Sequence, residues 1–256
     1  MGDEAVKRIE SPKNARVKQW KKLLTKKGRD ETGLFLLEGF HLVEEAIKSN
    51  APLVELIVDE RTAVPPGWNV TGVPVTIVTE AVMRAISSTE TPQGIAAVCR
   101  QLSTELEGVK TALLIDAVQD PGNLGTMIRT ADAAGIDAVI LGEGCADLYN
   151  PKVVRATQGS LFHLPVVKGD LAQWIARFKE QGIPVYGTAL ENAVDYRTVP
   201  QSSSFALLVG NEGSGVRPDL LRLTTENVYI PIYGRAESLN VAVAAGILLY
   251  SLQAVR

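Results

Sequence analysis

The sequence predicts an α/β protein in which a small α/β unit precedes a larger domain built on a parallel sheet. Its 256 residues are 46% hydrophobic and 21% charged, which is typical of a globular chain with a buried core. In the C-terminal half, near-continuous apolar runs alternate with helical segments, as in parallel sheets covered on both faces. A polar stretch, 101–110, separates two apolar runs. We therefore expect two domains, 1–104 and 109–256.

The elements of the first domain follow from spacing and turn residues. The segment 11–14 reads as a helix start, and Val17, Trp20 and Leu24 follow it at helical intervals. An amphipathic helix is expected from Phe40 to about 50. Short apolar runs predict buried strands at 34–37, 53–58, 75–78 and 95–98.

The second domain shows a regular alternation. Strands are predicted at 112–115, 138–141, 185–187, 206–209 and 228–232. Helices are predicted at 125–134, 152–159, 171–181, 220–223 and 239–254. This order predicts a doubly wound sheet, in which ligands bind at the carboxyl ends of the strands.

The charge is uneven along the chain. The net charge is −3, yet residues 1–30 hold ten Lys or Arg against four acids. That segment carries +6 and the remainder −9. A basic arm on an acidic body is expected of a local contact with a polyanion such as RNA, although a solvated helix face has the same pattern. Within this arm, Lys18, Lys21 and Lys22 are candidate RNA contacts.

Several classes of protein are excluded by what the sequence lacks. No apolar stretch approaches the ~20 residues of a membrane span, and the N-terminus has no secretory pattern, so we expect a cytoplasmic protein. Two cysteines and two histidines do not suit a disulfide framework or a zinc cluster, and we expect no metal. Gly142-Glu-Gly144 lacks the third glycine of a dinucleotide fingerprint, because position 147 is Asp, which argues against an NAD-dependent oxidoreductase.

Polar, glycine-containing clusters follow three of the predicted strands. The first runs from Asp116 to Thr130, where Asn123 is expected to cap a helix that carries Arg129 six residues later. A helix N-terminus with a nearby guanidinium suits a phosphate. The second cluster is Gly210-Asn-Glu212-Gly-Ser-Gly, and the third runs from Ile230 to Asn240, with Ser238 as a candidate helix cap. Each cluster alone would also fit an ordinary turn, but their convergence at one sheet edge favours a ligand site.

In order and spacing, the three clusters resemble the motifs of the SpoU (TrmH) family of SPOUT RNA 2′-O-ribose methyltransferases. The matching stretches are Asn123-Leu-Gly-Thr-Met-Ile-Arg129, Leu208-Val-Gly-Asn-Glu212-Gly, and Ile230-Pro-Ile through Glu237-Ser-Leu-Asn to Gly246. Tyr149-Asn-Pro-Lys-Val-Val-Arg155 resembles a further family element. In the first hundred residues, Ser11-Pro-Lys-Asn14 and Phe35-Leu-Leu-Glu38-Gly39 are similar to the family's ribosomal-protein-like substrate-binding domain.

The resemblance implies a fold and a cofactor. The C-terminal domain would contain a trefoil knot and bind S-adenosylmethionine, largely through backbone groups. The enzyme would be a homodimer acting on RNA, with rRNA favoured over tRNA because of the additional N-terminal domain. The cofactor would lie against Gly187, Thr188, Gly210, Ile230 and Leu239.

The resemblance also implies catalytic roles. Arg129 would be central, and because arginine side chains have pKa values above 12 we expect it to grip a phosphate rather than act as a base. Asn123 and Asn240 would orient the ribose or Arg129, Ser238 would bind the phosphate or the 2′-OH, and Glu212 would hold Arg129. Arg155 is a further candidate RNA contact. A non-catalytic, dimeric RNA-binding protein and a tRNA methyltransferase are the alternatives.

Overall fold

The structure, a computed structural model, describes residues 7–254, and these form two compact units. The first comprises the described residues up to Leu102 together with Asp147–Phe162. The second comprises Ser103–Ala146 and the described residues from His163 onward. The predicted division had no such interruption: it assigned 147–162 to the second domain, whereas the chain returns there to the first unit. The first six residues of the predicted basic arm and the last two of the predicted second domain lie outside the described residues.

The first unit is a five-stranded mixed sheet with helices against it. Its strands have the order β1-β4-β3-β5-β2, in which β5 is antiparallel to β3 and β2, while β1 and β3 run parallel to β4. Helix α1 packs through Val17 and Trp20, and helix α4 through Val82 and Ile86. The elements are β1 Lys7–Ile9, α1 Ala15–Lys22, α2 Lys26–Thr32, β2 Leu34–Glu38, α3 Phe40–Lys48, β3 Leu53–Asp59, β4 Val75–Val78, α4 Glu80–Ile86 and β5 Ile95–Arg100, joined later in the chain by α6 Pro151–Thr157.

The returning segment 147–162 is held in the first unit by a buried ion pair and an aromatic contact. Arg29, only 2% exposed, donates from Nε and Nη2 to Oδ2 of Asp147, at 3.1 and 2.5 Å. Its Nη1 donates to the carbonyl of Leu23, which helps to satisfy the buried guanidinium. The rings of Phe35 and Tyr149 lie 4.6 Å apart, and burial raises the pKa of the Tyr149 hydroxyl to about 12.

The second unit contains a seven-stranded, wholly parallel sheet of order β10-β12-β9-β11-β6-β7-β8. The central strands are buried along their whole length, as expected of a sheet covered on both faces. The elements are β6 Thr111–Ile115, α5 Pro121–Ala133, β7 Ala138–Leu141, β8 Val166–Lys168, α7 Leu171–Glu180, β9 Val185–Thr188, β10 Val194–Asp195, β11 Phe205–Val209, α8 Pro218–Leu221, β12 Glu226–Tyr229 and α9 Val241–Leu252.

The last helix does not pack beside the last strand of this sheet. Strand β12 sits between β9 and β10, whereas α9, which follows it, packs on α5 and on β11 nearer the centre. The α/β class and the parallel sheet predicted from the sequence are confirmed. The trefoil knot, which would form from this return across the sheet, stays a prediction from the family resemblance.

Several predicted boundaries differ from those observed. The strand predicted at 228–232 ends at Tyr229, before Pro231, which has no N–H to contribute to a ladder. Helix α5 begins at Pro121 rather than at 125. Elements β1, β8, β10, α2 and α4 were not predicted, because they are short or carry little apolar periodicity. Within residues 7–254, no helix combines the length and the apolar character that crossing a membrane requires.

Candidate active site

Three loops of the second unit emerge at the carboxyl edge of its sheet. They are 116–120 after β6, 210–217 after β11, and 230–240 after β12. Because β6 and β11 are parallel neighbours in register, the first two loops leave the sheet side by side. This is the edge at which open α/β sheets bind ligands.

The first loop ends in a capped helix. Asp120, not Asn123, is the N-cap of α5: its Oδ1 accepts the backbone N–H of Asn123 at 2.8 Å. Pro121 occupies the first helical turn, where its missing N–H costs nothing. The expectation that Asn123 caps the helix is therefore wrong. The Asn123 side chain is left to make tertiary contacts.

Those contacts join all three loops. Asn123 donates from Nδ2 to Oε1 of Glu212 at 3.2 Å, and its Oδ1 accepts from Nδ2 of Asn240 at 2.9 Å. Asn240 is the N-cap of α9, because its Oδ1 accepts the backbone N–H groups of Ala242 and Val243. The amide orientations are consistent along this chain, since each oxygen faces donors and each nitrogen faces an acceptor. The prediction that Ser238 caps this helix is wrong.

The Glu212 side chain holds the first loop in place and does not contact Arg129. Its carboxylate accepts the backbone N–H groups of Gln119 and Asp120, at 3.2 and 3.0 Å, besides the amide of Asn123. Desolvation by burial raises the pKa of Glu212, but these backbone and amide donors outweigh it and hold the pKa below its usual range. The expectation that Glu212 holds Arg129 is contradicted, because its acceptor positions serve the 119–123 segment.

Arg129 is exposed on α5, six residues beyond Asn123. Among the described residues, its guanidinium has no hydrogen-bond or ion-pair partner. Ser238 is likewise exposed and makes no side-chain hydrogen bond within the described chain. Both side chains are therefore available to an external ligand.

Two contacts that the sequence did not reveal tie the first two loops together. Arg217 donates to the carboxylate of Asp116, which is fully buried. Next to it, Ala117 adopts a left-handed backbone conformation, with φ of 53°, and its carbonyl accepts from Nδ2 of Asn211 at 2.8 Å. A non-glycine residue in this region is uncommon and persists where the surroundings fix it. An Asp directly after a strand is the only sequence signal for this corner.

Two glycines predicted to lie against the cofactor have no space for a side chain, because other parts of the protein occupy it. A side chain on Gly210 would meet the backbone of Val216 and Gly215 at 2.1 to 2.4 Å, because the 210–216 turn closes on itself. A side chain on Gly187 would meet the amide oxygen of Asn227 at 2.5 Å. Both glycines are required by packing within this unit, whatever lies against their backbone.

The other predicted cofactor positions lie at the same edge. Thr188 ends β9, and its hydroxyl donates to the carbonyl of Leu208 at 3.2 Å. Ile230 directly follows β12, and Leu239 is 37% exposed. Between them, within the described part of the chain, the backbone groups of 232–239 make no hydrogen bonds. The loop thus presents free N–H and C=O groups.

The first unit carries the predicted RNA contacts. Lys18, Lys21 and Lys22 are exposed on α1 and have no ion-pair partner among the described residues. Two other lysines of the arm are paired: Lys26 with Asp30 and Lys27 with Glu31. Arg155, on α6, is only 34% exposed, and its Nη1 donates to the hydroxyl of Ser88.

A grouping of possible metal ligands lies on α3. The ligand atoms of His41, Glu44 and Glu45 lie within 4.8 Å of one another. Lys48 lies 3.3 and 3.4 Å from the two carboxylates, so its positive charge already neutralises part of theirs. The absence of a metal from the protein's chemistry stays a prediction.

Comparison with known proteins matches the two parts of the chain to two different families. Residues 110–250 match the SpoU rRNA methylase family, and residues 14–97 match the MRM3-like substrate binding domain. A Bacillus subtilis protein described as 23S rRNA (guanosine(2553)-2′-O)-methyltransferase RlmP is 55% identical over 97% of this chain and 100% of its own length.

Solved structures are similar over nearly the whole chain. The AdoMet-bound rRNA methyltransferase from Sinorhizobium meliloti has a TM-score of 0.85 and 35% identity, covering 96% of this chain and 97% of that one. The SpoU methyltransferase AviRb from Streptomyces viridochromogenes, in complex with AdoMet, has a TM-score of 0.83 and 29% identity, covering 94% and 97%.

Proposed function

Because the chain belongs to the SpoU rRNA methylase family, we propose that it is an RNA 2′-O-ribose methyltransferase that uses S-adenosylmethionine and acts on rRNA in the cytoplasm. The observation that carries this proposal is the hydrogen-bonded set Glu212–Asn123–Asn240, which joins the three motif loops at the carboxyl edge of the sheet. The second unit supplies the cofactor and catalytic groups, and the first unit, to which Asp147–Phe162 also belongs, supplies RNA affinity.

The loops at this edge suit the cofactor. The free backbone groups of 232–239 can recognise the polar edge of an adenine ring, and the partly exposed Leu239 offers an apolar contact. Thr188, Ile230 and the backbone of Gly187 and Gly210 complete the set of cofactor contacts. When bound, S-adenosylmethionine supplies a methyl group that its sulfonium has already activated.

The protein's main task is therefore to position the ribose and to stabilise its 2′-oxygen as it loses a proton. Arg129 cannot be the base, because an arginine side chain is not deprotonated in proteins. Its free guanidinium instead grips the phosphate next to the target ribose, in a forked, bidentate contact. A phosphate oxygen or a water molecule accepts the proton.

The neighbouring side chains orient the ribose. Asn123 and Asn240 each use one amide hydrogen in the set described above, which leaves each a second N–H for the substrate. Glu212 holds both the Asn123 amide and the backbone of 119–120 in place. Ser238 offers an unpaired hydroxyl to the phosphate or the 2′-OH.

RNA affinity comes from the free lysines of α1 and from Arg155. Lys18, Lys21 and Lys22 lie at i, i+3 and i+4 on one helix face, so they can contact successive phosphates together. Arg155 lies in the part of 147–162 that packs with the first unit.

The enzyme acts as a homodimer that pairs through α9. Val243, Ile247 and Tyr250 are 52%, 36% and 58% exposed, and their spacing places them on one face of this helix. Such an apolar stripe on an otherwise packed helix is what a second copy would cover.

The test is direct transfer with purified protein. Labelled S-adenosylmethionine is incubated with the protein and rRNA or tRNA from a strain that lacks the gene, and the modified position is mapped. Label in ribose of rRNA is the expected result. Label in tRNA alone would redirect the substrate assignment, and no transfer to either RNA would favour a non-catalytic RNA-binding protein.

A further inference from the structure

A small cavity lies within the first unit and is lined by residues of that unit alone. Its volume is about 100 Å³, and it is partly open to solvent. Its floor is apolar, formed by Met83, Ile86 and Ile95, which are almost fully buried. Polar groups lie around it, among them Glu38, Gln93 and Arg155.

The carboxylate at this cavity is already saturated. Glu38 accepts the hydroxyl protons of Ser87 and Ser88, both at 2.6 Å, and the backbone N–H of Ser88 at 3.0 Å to each of its oxygens. These contacts occupy the roughly four lone-pair positions of a carboxylate. Glu38 therefore has a structural role in the wall of the cavity, and any ligand must be bound by the neighbouring residues.

The neighbours offer donors. Arg155 uses Nη1 to bind Ser88 and lies 4.0 Å from Glu38, but its Nε and Nη2 have no partner among the described residues. Gln93 accepts the backbone N–H of Phe40 at its Oε1, at 3.0 Å, which fixes the amide and leaves Nε2 unpartnered there as well. Three nitrogens thus carry hydrogens without acceptors.

An apolar floor with hydrogen-bond donors at its rim disfavours a phosphate and suits a flat ring that carries carbonyl oxygens. A phosphate would sit on an apolar floor beside a carboxylate, which disfavours it. A flat ring fits the floor: a dry cavity of about 150 Å³ admits benzene, and this smaller one is open on one side, so that a ring can enter in part. Donors at the rim select a ring edge that carries carbonyl oxygens.

We infer that this cavity receives an unstacked base of the substrate RNA and prefers bases with carbonyl edges, uracil or guanine, over those with amino edges. Proteins read sequence in RNA chiefly through such splayed-out bases. Arg155 and Gln93 donate to the carbonyl oxygens, while Met83, Ile86 and Ile95 contact the ring. The inference rests on the proposed function, because it requires RNA as the substrate, and it adds a sequence-reading site outside the catalytic loops.

A comparison of uracil with cytosine distinguishes recognition of the base from general electrostatic attraction to the RNA backbone. They have rings of the same size and differ in a carbonyl or an amino group at one position. The full-length protein is titrated with twelve-nucleotide oligo(U) and oligo(C) at fixed salt. We expect oligo(U) to bind about tenfold more tightly, the discrimination typical of one good donor–acceptor contact. Equal affinities would overturn the inference.

Gln93→Glu is the sharpest variant. It keeps the oxygen that accepts from Phe40, so the wall stays intact, but it replaces the free donor with an acceptor. The ratio of oligo(U) to oligo(C) affinity should fall towards one or invert. Gln19→Glu, on α1, adds the same charge and keeps the oxygen that accepts from Arg16, so it should weaken both oligonucleotides equally. An unchanged ratio in Gln93→Glu, with the protein folded, would also overturn the inference.

The failure of this inference and the failure of the proposed function can be told apart. Methyl transfer to rRNA by the wild-type protein, measured alongside, tests the function independently of the ratio. Methyl transfer without a preference for oligo(U) would support the proposed function and contradict the base pocket. A preference for oligo(U) without methyl transfer would support the base pocket and contradict the proposed methyltransferase function.

Discussion

Arg217 donates twice to the buried carboxylate of Asp116, from its backbone N–H at 2.9 Å and from Nε at 3.0 Å. Asp116 lies directly after β6 and Arg217 directly before α8, so the pair pins the end of the 210–217 loop to the sheet. The Asp116 side chain is fully buried, whereas that of Arg217 is half-exposed. The backbone contact is therefore the part that water cannot replace.

Replacing Asp116 should loosen the 210–217 loop, which carries Gly210 and Glu212, while leaving Arg129 on α5 in place. Asp116→Asn keeps one acceptor but places an amide N–H against a donor, so we expect KM for S-adenosylmethionine to rise about tenfold, with a smaller change in kcat. Arg217→Ala keeps the backbone contact and should have the smaller effect. Steady-state kinetics at saturating RNA measures both. A fall in kcat alone would contradict the positioning role.

Arg129 should be needed for transfer but not for cofactor binding. Arg129→Lys keeps the charge and loses the forked geometry, so activity should fall about 100-fold or more. Calorimetry should show unchanged cofactor affinity. Arg222→Lys, at an exposed position just after α8, is the matched control and should behave as wild type. Near wild-type turnover by Arg129→Lys would remove Arg129 from the mechanism.

Glu212 gives the site a pH dependence of known sign. Its pKa is lowered in the folded protein, so its contribution to stability is present above the ordinary pKa and is lost as the pH falls through the lowered one. Glu212→Gln places an amide N–H against the donors of 119–123 and should cost about 1 kcal/mol at neutral pH, since the site is exposed. Thermal unfolding should show this deficit unchanged from about pH 8 to 5 and shrinking below about pH 4. A deficit that grew on acidification would contradict the assignment.

The unpaired lysines of α1 should carry the salt dependence of RNA binding. Neutralising Lys18, Lys21 or Lys22 with Gln should lower the slope of log affinity against log salt by about 0.7 to 0.9 for each phosphate that the variant no longer binds. Lys26→Gln and Lys27→Gln are the controls, because those two lysines already pair with Asp30 and Glu31. Equal slopes for all variants would show that α1 does not bind the phosphates.

The exposed face of α9 should govern the oligomeric state. Ile247→Glu places a charge in the apolar stripe and should shift the protein from dimer towards monomer in sedimentation or light scattering. Leu223→Glu, at a residue of similar exposure beyond α8, should leave the mass unchanged. A dimer that persists in Ile247→Glu would place the interface elsewhere.

Strand 138–141 was predictable because burial on both faces leaves a continuous apolar run, and its observed bounds are the same. Strand 75–78 also has the predicted bounds, although its fully buried residues alternate with partly buried ones and Thr76 interrupts the apolar run. Caps were harder. Asp120, Asn123, Ser238 and Asn240 are all residue types that cap helices, so composition does not decide which one does. The geometry decides: Asp120 and Asn240 cap, and Asn123 is freed to bridge the loops.

Contacts between distant positions could not be read from local pattern. The pairing of Arg29 with Asp147 spans 118 residues, and neither residue stands out in its own segment. Arg29 looked like one more cation of the basic arm, but burial against Asp147 removes it from any RNA-binding surface. The same limit hid Asp116, whose partner follows a hundred residues later in the chain.

The return of 147–162 to the first unit has a consequence for biosynthesis. A domain that is continuous in sequence can fold as soon as it leaves the ribosome. Here the last strand of the first sheet is synthesised well before Asp147 and Tyr149, so Arg29 has no counter-charge and Phe35 no covering ring during that interval. The first unit therefore cannot complete its packing until part of the second has emerged, and in that interval its exposed apolar surface favours aggregation.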